Sequence, residues 1–81
     1  MTTAEQLEAR ARELAAQGVD IDQGADELLE HSGSKRVSVV VARELFSEAL
    51  ENDPNDQVSR RAVEMLDAAL HRGDWTIEEA V

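Results

Sequence analysis

Histidine, cysteine and serine are the side chains that most often act as nucleophiles or general bases, and this sequence arranges few of them usefully. It has no cysteine and only two histidines, His31 and His71. We expect both histidines at the C-terminal ends of helices, where the helix dipole stabilises a protonated imidazole without any catalytic role. No GxSxG turn and no glycine-rich phosphate loop occurs. We therefore predict that the chain is not an enzyme and carries no cofactor.

Three aspartates around a glycine, Asp20, Asp22 and Asp26, superficially suggest a calcium-binding loop. An EF-hand loop needs glycine at its sixth position and glutamate at its twelfth. Counted from Asp20, those positions hold Ala25 and His31, so the pattern fails at both. Acids near the start of a helix explain the cluster, and we predict no metal.

Residues 26–46 could form a helix-turn-helix, with Lys35 and Arg36 opening the recognition helix. Phosphate contacts supply most of the affinity for DNA, so such a module needs a basic face. The chain instead has 18 acidic and 8 basic residues, with a formal net charge of −10. We predict no direct binding of nucleic acid; an accessory DNA-binding role for Lys35 and Arg36 is a further alternative.

Apolar residues repeat at a helical period in four segments, which are the elements that must position any site. The stripes of the first, second and fourth segments are Leu7–Ala11–Leu14–Ala15, Ile21–Ala25–Leu28–Leu29 and Val58–Ala62–Met65–Leu66–Ala69–Leu70. This periodicity predicts an all-α fold.

Capping residues predict where these helices begin. Thr3 and Gln6 have the spacing of a capping box, and Asp20 can cap the second helix. Asp53 is expected to cap the fourth helix, with Pro54 at its first position.

Glycines predict where helices end, and the residues beyond the last one predict a short tail. Gly18 and Gly73 are expected to adopt the left-handed conformation that ends a helix. Residues 76–79 have the spacing of a further capping box, which favours one short turn. We expect Trp75 and Ile77 to fold back over the edge of the bundle.

The third segment, roughly Lys35 to Glu51, is apolar over more than half of its circumference. A run of valines suits a strand, but the apolar pattern continues for several turns and no other segment offers a partner strand. A helix that is apolar on most sides is buried on most sides, so we place this one at the centre of the bundle or in a subunit interface. We expect it to expose some of Val39, Val40 and Phe46 in the monomer, which would drive homodimerisation.

These elements predict one helical domain over residues 1–81, a small bundle of four helices plus a short C-terminal turn. No apolar run is long enough to span a bilayer, and the N-terminus lacks the pattern of a signal peptide. We therefore expect no membrane partner and a soluble, cytoplasmic protein. One lysine beside seven arginines, with abundant alanine and valine, is typical of a GC-rich bacterial genome.

One short stretch, residues 42–55, resembles the second helix of a tetratricopeptide repeat. The resemblance depends on Ala42, Phe46, Ala49 and the Pro54–Asn55 pair. In the preceding helix, where the repeat has two large aromatic residues, a leucine and a small residue, only Leu29 fits. A bundle helix that ends before Asp-Pro gives the same spacing, so we assign the chain to no family.

With catalysis, metal binding and nucleic-acid binding disfavoured, the function class that remains is an interaction with another protein. The acidic composition favours a basic partner. We predict a small acidic protein–protein interaction module that also self-associates. The alternative is an acidic inhibitor or antitoxin-type regulator that occupies a nucleic-acid-binding surface on its partner. Added salt should weaken such electrostatic docking more steeply than the docking of a helix in an apolar groove. The residues predicted to make contact are Val39, Val40 and Phe46 on an apolar face and Asp20, Asp22 and Asp26 on an acidic face.

Overall fold

The computed structural model describes residues 2–33, 35–73 and 75 of the chain. This part contains four α-helices and no strand, which confirms the predicted all-α bundle of four helices. The helices are α1 (Thr3–Ala16), α2 (Ile21–Ser32), α3 (Arg36–Asn52) and α4 (Gln57–Arg72). The predicted C-terminal turn and Ile77 lie outside the described residues.

The four helices contribute to one apolar core, and α1 and α4 form its centre. Each of these two helices packs against all three others, whereas α2 and α3 lie on opposite sides and scarcely meet. The fully buried large side chains of the core include Leu7, Leu14, Leu28, Val39, Phe46, Met65 and Leu66. The prediction that the third helix is central is therefore wrong. The two helices of a helix-turn-helix pack against each other, whereas α2 and α3 have the fewest contacts of any helix pair in the bundle.

The caps of the helices differ in part from the predicted ones. The capping box of α1 lies one residue earlier than predicted: the Thr2 hydroxyl accepts from the Glu5 backbone N–H, and the Glu5 carboxylate accepts from the Thr2 backbone. Asp20 caps α2 as predicted, accepting from the backbone N–H of Asp22. α4 is capped by Asp56 rather than by Asp53.

The change of cap at α4 has a local cause. Asp53 accepts a hydrogen bond from the Asn55 backbone N–H, and its carbonyl accepts from the Asp56 N–H, so Asp53 to Asp56 form a turn ahead of the helix. Pro54 is therefore a turn residue and not the first residue of α4. Asp56 then accepts from both the backbone N–H and the hydroxyl of Ser59.

The predicted left-handed ending occurs after α1 but not after α4. Gly18 has φ of 72°, as predicted, whereas Gly73 has φ of −69°. Gly73 is close to the indole of Trp75, where a Cβ would overlap the ring. The indole Nε1 donates to the Leu70 carbonyl oxygen at 3.0 Å, and the ring packs against the core. The predicted return of Trp75 over the bundle edge is thus confirmed, and a glycine at position 73 leaves room for it.

Candidate interaction surface

Two of the three apolar residues predicted on an exposed face of α3 belong to the core. Val39 is 0% and Phe46 is 1% exposed, and Val40 is half-buried. The guanidinium of Arg12 lies over the Phe46 ring, 5.4 Å from its centroid. The expected exposure is wrong for Val39 and Phe46 because their side of α3 packs against α1 and α4. No finding tests a binding role for Val40.

The large apolar side chains that α3 does expose lie on a different side of the helix. Val37 is 57% exposed, Val41 45% and Leu45 39%, and no other large apolar side chain of the described residues is classed as exposed. They are spaced four residues apart, so they form one continuous ridge along the helix. We call these three residues the α3 ridge.

A signal for the α3 ridge was present in the sequence. The positions three and seven residues after Val41, which share its side of a helix, are Glu44 and Glu48. The corresponding positions after Val39 are Ala42 and Phe46, both of which are buried. Apolar residues beside carboxylates belong to the solvent side, and this comparison distinguishes the two valines.

Five charged residues at the start and along the length of α3 are exposed: Lys35, Arg36, Glu44, Glu48 and Glu51. Glu44 and Glu48 share the side of Val41, and Glu51 lies beside them, whereas helical spacing places Lys35 and Arg36 on the side of Val39. None of the five forms an ion pair with another described residue. We call the α3 ridge together with the three glutamates the α3 face.

The charged residues at the two ends of α3 oppose the dipole of their own helix. A helix favours anions at its N-terminus and cations at its C-terminus, by about 0.3–1 kcal/mol for each charge at low ionic strength. α3 begins instead with Lys35, which makes no capping hydrogen bond through its side chain, and Arg36. It ends with Glu51 in its last turn, followed by Asp53. This arrangement is unfavourable for the isolated helix.

The remaining cations of the described chain are already engaged. Arg10 donates from Nε to Glu27 at 2.9 Å and links α1 to α2; this hydrogen bond raises the pKa of Arg10. Arg43 pairs with Asp67 at 2.8 Å and links α3 to α4. Arg12 pairs with Glu8, and Arg60 and Arg61 donate to the backbone carbonyls of Pro54 and Val19. Lys35 and Arg36 are thus the only cations of the described residues whose side chains have no such partner.

The predicted acidic face on α2 is held by an internal partner. Arg72, in the last turn of α4, lies 2.6 Å from an Asp26 oxygen and 3.4 Å from an Asp22 oxygen. It also donates to the Asp22 backbone carbonyl at 3.0 Å. The Asp20 side chain caps α2. Asp22 and Asp26 thus share one cation, which partly neutralises their charge within the chain.

An open cleft of about 350 Å³ lies between the end of α1 and the start of α4. Its lining is Ala15, Ala16, Gln57, Val58, Arg60, Arg61 and Glu64. Both arginines bind backbone carbonyls of the same chain, and the lining supplies no histidine, hydroxyl or thiol. The cleft therefore presents no nucleophile with a neighbouring base.

The histidines lie where the sequence places them. His31 and His71 are in the last turns of α2 and α4. His71 Nδ1 donates to the Asp67 carbonyl oxygen one turn earlier in its own helix, at 2.9 Å.

Within the described residues, no group of three or more histidine, aspartate or glutamate side chains is placed to hold a metal ion. None of the four helices is both long and apolar enough to cross a membrane. Comparison of the chain with protein-family models, with curated proteins and with solved structures found no match.

Proposed function

We propose that this protein is a non-enzymatic protein–protein interaction module and that the α3 face is its docking surface. The observation that carries this proposal is the α3 ridge, three large apolar side chains exposed on successive turns of one helix. The composition of the chain is also typical of a cytoplasmic bacterial protein, so we place this interaction in the bacterial cytoplasm.

The physical reason is that the α3 ridge leaves about half of its apolar side-chain area exposed to water. Burying such area against a partner is favourable by about 25 cal/mol per Å². Anchors that recur at successive helical turns are the pattern by which a helix docks against an apolar groove or another helix. The carboxylates beside the ridge then favour a partner with basic residues around its apolar surface.

The alternative, an acidic inhibitor that occupies a basic surface, has weaker support. Two of the aspartates that would form its acidic face are bound by Arg72. The glutamates of the α3 face remain available, but they border an apolar ridge. Docking through the α3 face should therefore tolerate added salt better than purely electrostatic docking does.

The absence of cysteine allows a site-specific test of the docking surface. Val41→Cys, labelled with a photo-activated cross-linker, is added to lysate of the source organism. Gln23→Cys, at an exposed position of α2 on the opposite side of the bundle, is the matched control. We expect specific adducts from position 41 and not from position 23, with partners identified by mass spectrometry.

Competition separates docking from random labelling. Excess unlabelled wild-type protein should remove the adducts, whereas excess Val41→Asp should not, since it places a charge on the ridge. Identical adducts from positions 41 and 23 would overturn the proposal.

A further inference from the structure

The α3 face divides along its helix into an apolar part and an acidic part. The α3 ridge runs from Val37 to Leu45. The carboxylates of Glu44, Glu48 and Glu51 follow toward the C-terminus of the helix. With a rise of 1.5 Å per residue, the apolar part is about 12 Å long and the acidic part about 10 Å long. A partner that covers the whole face therefore needs two different surfaces in succession.

No cation of the described residues compensates the carboxylates of the α3 face. None of the three glutamates forms an ion pair with another described residue. Arg43, the nearest arginine in the sequence, pairs instead with Asp67 of α4. Glu51 lies in the last turn of α3, where the negative end of the helix dipole makes a carboxylate less favourable. Cations supplied by a partner would relieve both the charge of the glutamates and the dipole.

A second copy of the chain does not supply these cations. A symmetric pair places the carboxylates of each copy against those of the other or against its apolar ridge, and both placements are unfavourable. Lys35 and Arg36, which have no internal partner, lie on the side of Val39 and not beside the α3 ridge. The homodimer predicted from the sequence depended on the exposure of Val39 and Phe46, and both are buried.

We propose that the α3 face binds a basic amphipathic helix of a different protein, on which an apolar stripe adjoins a cluster of arginine or lysine residues. This inference rests on the proposed function and names the class of its partner. Apolar anchors at successive turns suit a helix, because the ridges of two helices interdigitate. The cations beyond the stripe then meet the carboxylates of α3, which speeds association and fixes the orientation of the bound helix.

Synthetic peptides test the two parts of this partner separately. The arginine peptide is a helix of about five turns, with leucine at every fourth position of one half and arginine at the same spacing in the other. A second version exchanges the halves, because a bound helix can run in either direction. In the control, the glutamine peptide, every arginine is glutamine. Amide NMR shifts of the isotope-labelled protein report binding at physiological salt, where a Debye length of about 8 Å limits general attraction to an acidic chain.

Paired neutral variants distinguish the α3 face from the overall charge of the chain. Glu44→Gln with Glu48→Gln removes two carboxylates from the face. Glu30→Gln with Glu64→Gln removes two exposed carboxylates from α2 and α4 and leaves the same net charge. None of these side chains forms an ion pair with a described residue, so both variants should fold. We expect the arginine peptide to shift the amides of α3, and the first variant to weaken its binding roughly tenfold, against less than roughly twofold for the second.

Three outcomes overturn this inference. The first is equal weakening by both variants, which would show attraction to the net charge alone. The second is a glutamine peptide that binds α3 as tightly as the arginine peptide does; the proposed function then survives, because the α3 ridge still docks a helix. The third is that no peptide shifts the amides of α3. In that case the proposed function fails as well only if cross-linking at position 41 captures no protein.

Discussion

Gly24 of α2 and Met65 of α4 lie in direct contact: a Cβ at Gly24 would fall 2.6 Å from the Met65 sulfur. Both residues are buried, and the glycine lets the two helices approach with the thioether between them. A glycine inside a helix is less favourable than alanine by about 1 kcal/mol. The sequence shows this local weakness in α2, and the structure shows the packing that compensates for it.

Gly24→Ala should therefore destabilise the protein although it improves helix propensity. Overpacking against a buried side chain costs typically about 1–3 kcal/mol, which exceeds the gain of about 1 kcal/mol from alanine. Urea unfolding followed by circular dichroism gives the difference in the free energy of unfolding.

The matched control for Gly24 is the same substitution in a Met65→Ala background. Without the thioether there is nothing for the new Cβ to strike, so Gly24→Ala should be neutral or stabilising there. An increase in stability from Gly24→Ala in the wild-type background would show that the proposed contact is unimportant.

Asp56 should contribute more to the stability of α4 than Asp53 does. Asp56 caps the helix by accepting two hydrogen bonds from Ser59, whereas Asp53 only closes the preceding turn. We expect Asp56→Ala to lower the Tm by several degrees and Asp53→Ala to lower it less. Equal effects would contradict the assignment of the cap.

The contribution of Asp56 should also depend on pH. The hydrogen bond from the Ser59 hydroxyl, followed by that from the Ser59 backbone, lowers the pKa of Asp56 below its ordinary value of 3.8. Because the folded pKa is the lower one, the ionised carboxylate stabilises the fold above pH 3.8, and this stabilisation is lost as the pH falls through the folded value. The Tm difference between wild type and Asp56→Ala should thus be constant near neutral pH and shrink in acid. A difference that persists below the folded pKa would contradict the cap.

The fluorescence of Trp75 reports how the indole packs beside Gly73 after the end of α4. Gly73→Ala should displace the indole, because the added Cβ would overlap its ring. The single tryptophan makes its fluorescence a specific probe, and we expect the emission to shift to longer wavelength as the ring becomes more exposed. Gly33→Ala is the control: φ of 60° makes it destabilising, but no atom lies near its Cβ, so the emission of the folded protein should not shift.

The sequence was sufficient to predict four helices because each has a clear period and nearby capping residues. It placed the start of α4 at Asp53, since Asp-Pro is a strong capping pattern; the competing turn through Asn55 displaced the cap to Asp56. Apolar periodicity alone does not assign the buried side of α3, because valines lie on both sides of this helix; the carboxylates of Glu44 and Glu48 mark the solvent side. Tertiary contacts with α1 and α4 bury Val39 and Phe46 and leave Val37 and Val41 exposed.

The acidic candidate site shows a second limit. Asp20 and Asp22 lie at the start of α2, where their spacing predicts capping acids, and Asp26 lies near the middle of the helix. Their partner, Arg72, is distant in sequence and reaches them only because α2 and α4 pack together. Long-range ion pairs of this kind have no signature in the local pattern.

Cross-linking at position 41 tests the central claim most directly, because the chain has no other cysteine. Val41 lies in the middle of the α3 ridge, so a photo-activated cross-linker on Val41→Cys should give specific adducts that persist at high salt. Val37→Cys and Leu45→Cys, one turn before and one turn after it, should capture the same protein. If Val41→Cys gives no more adducts than Gln23→Cys, the α3 face is not a docking surface.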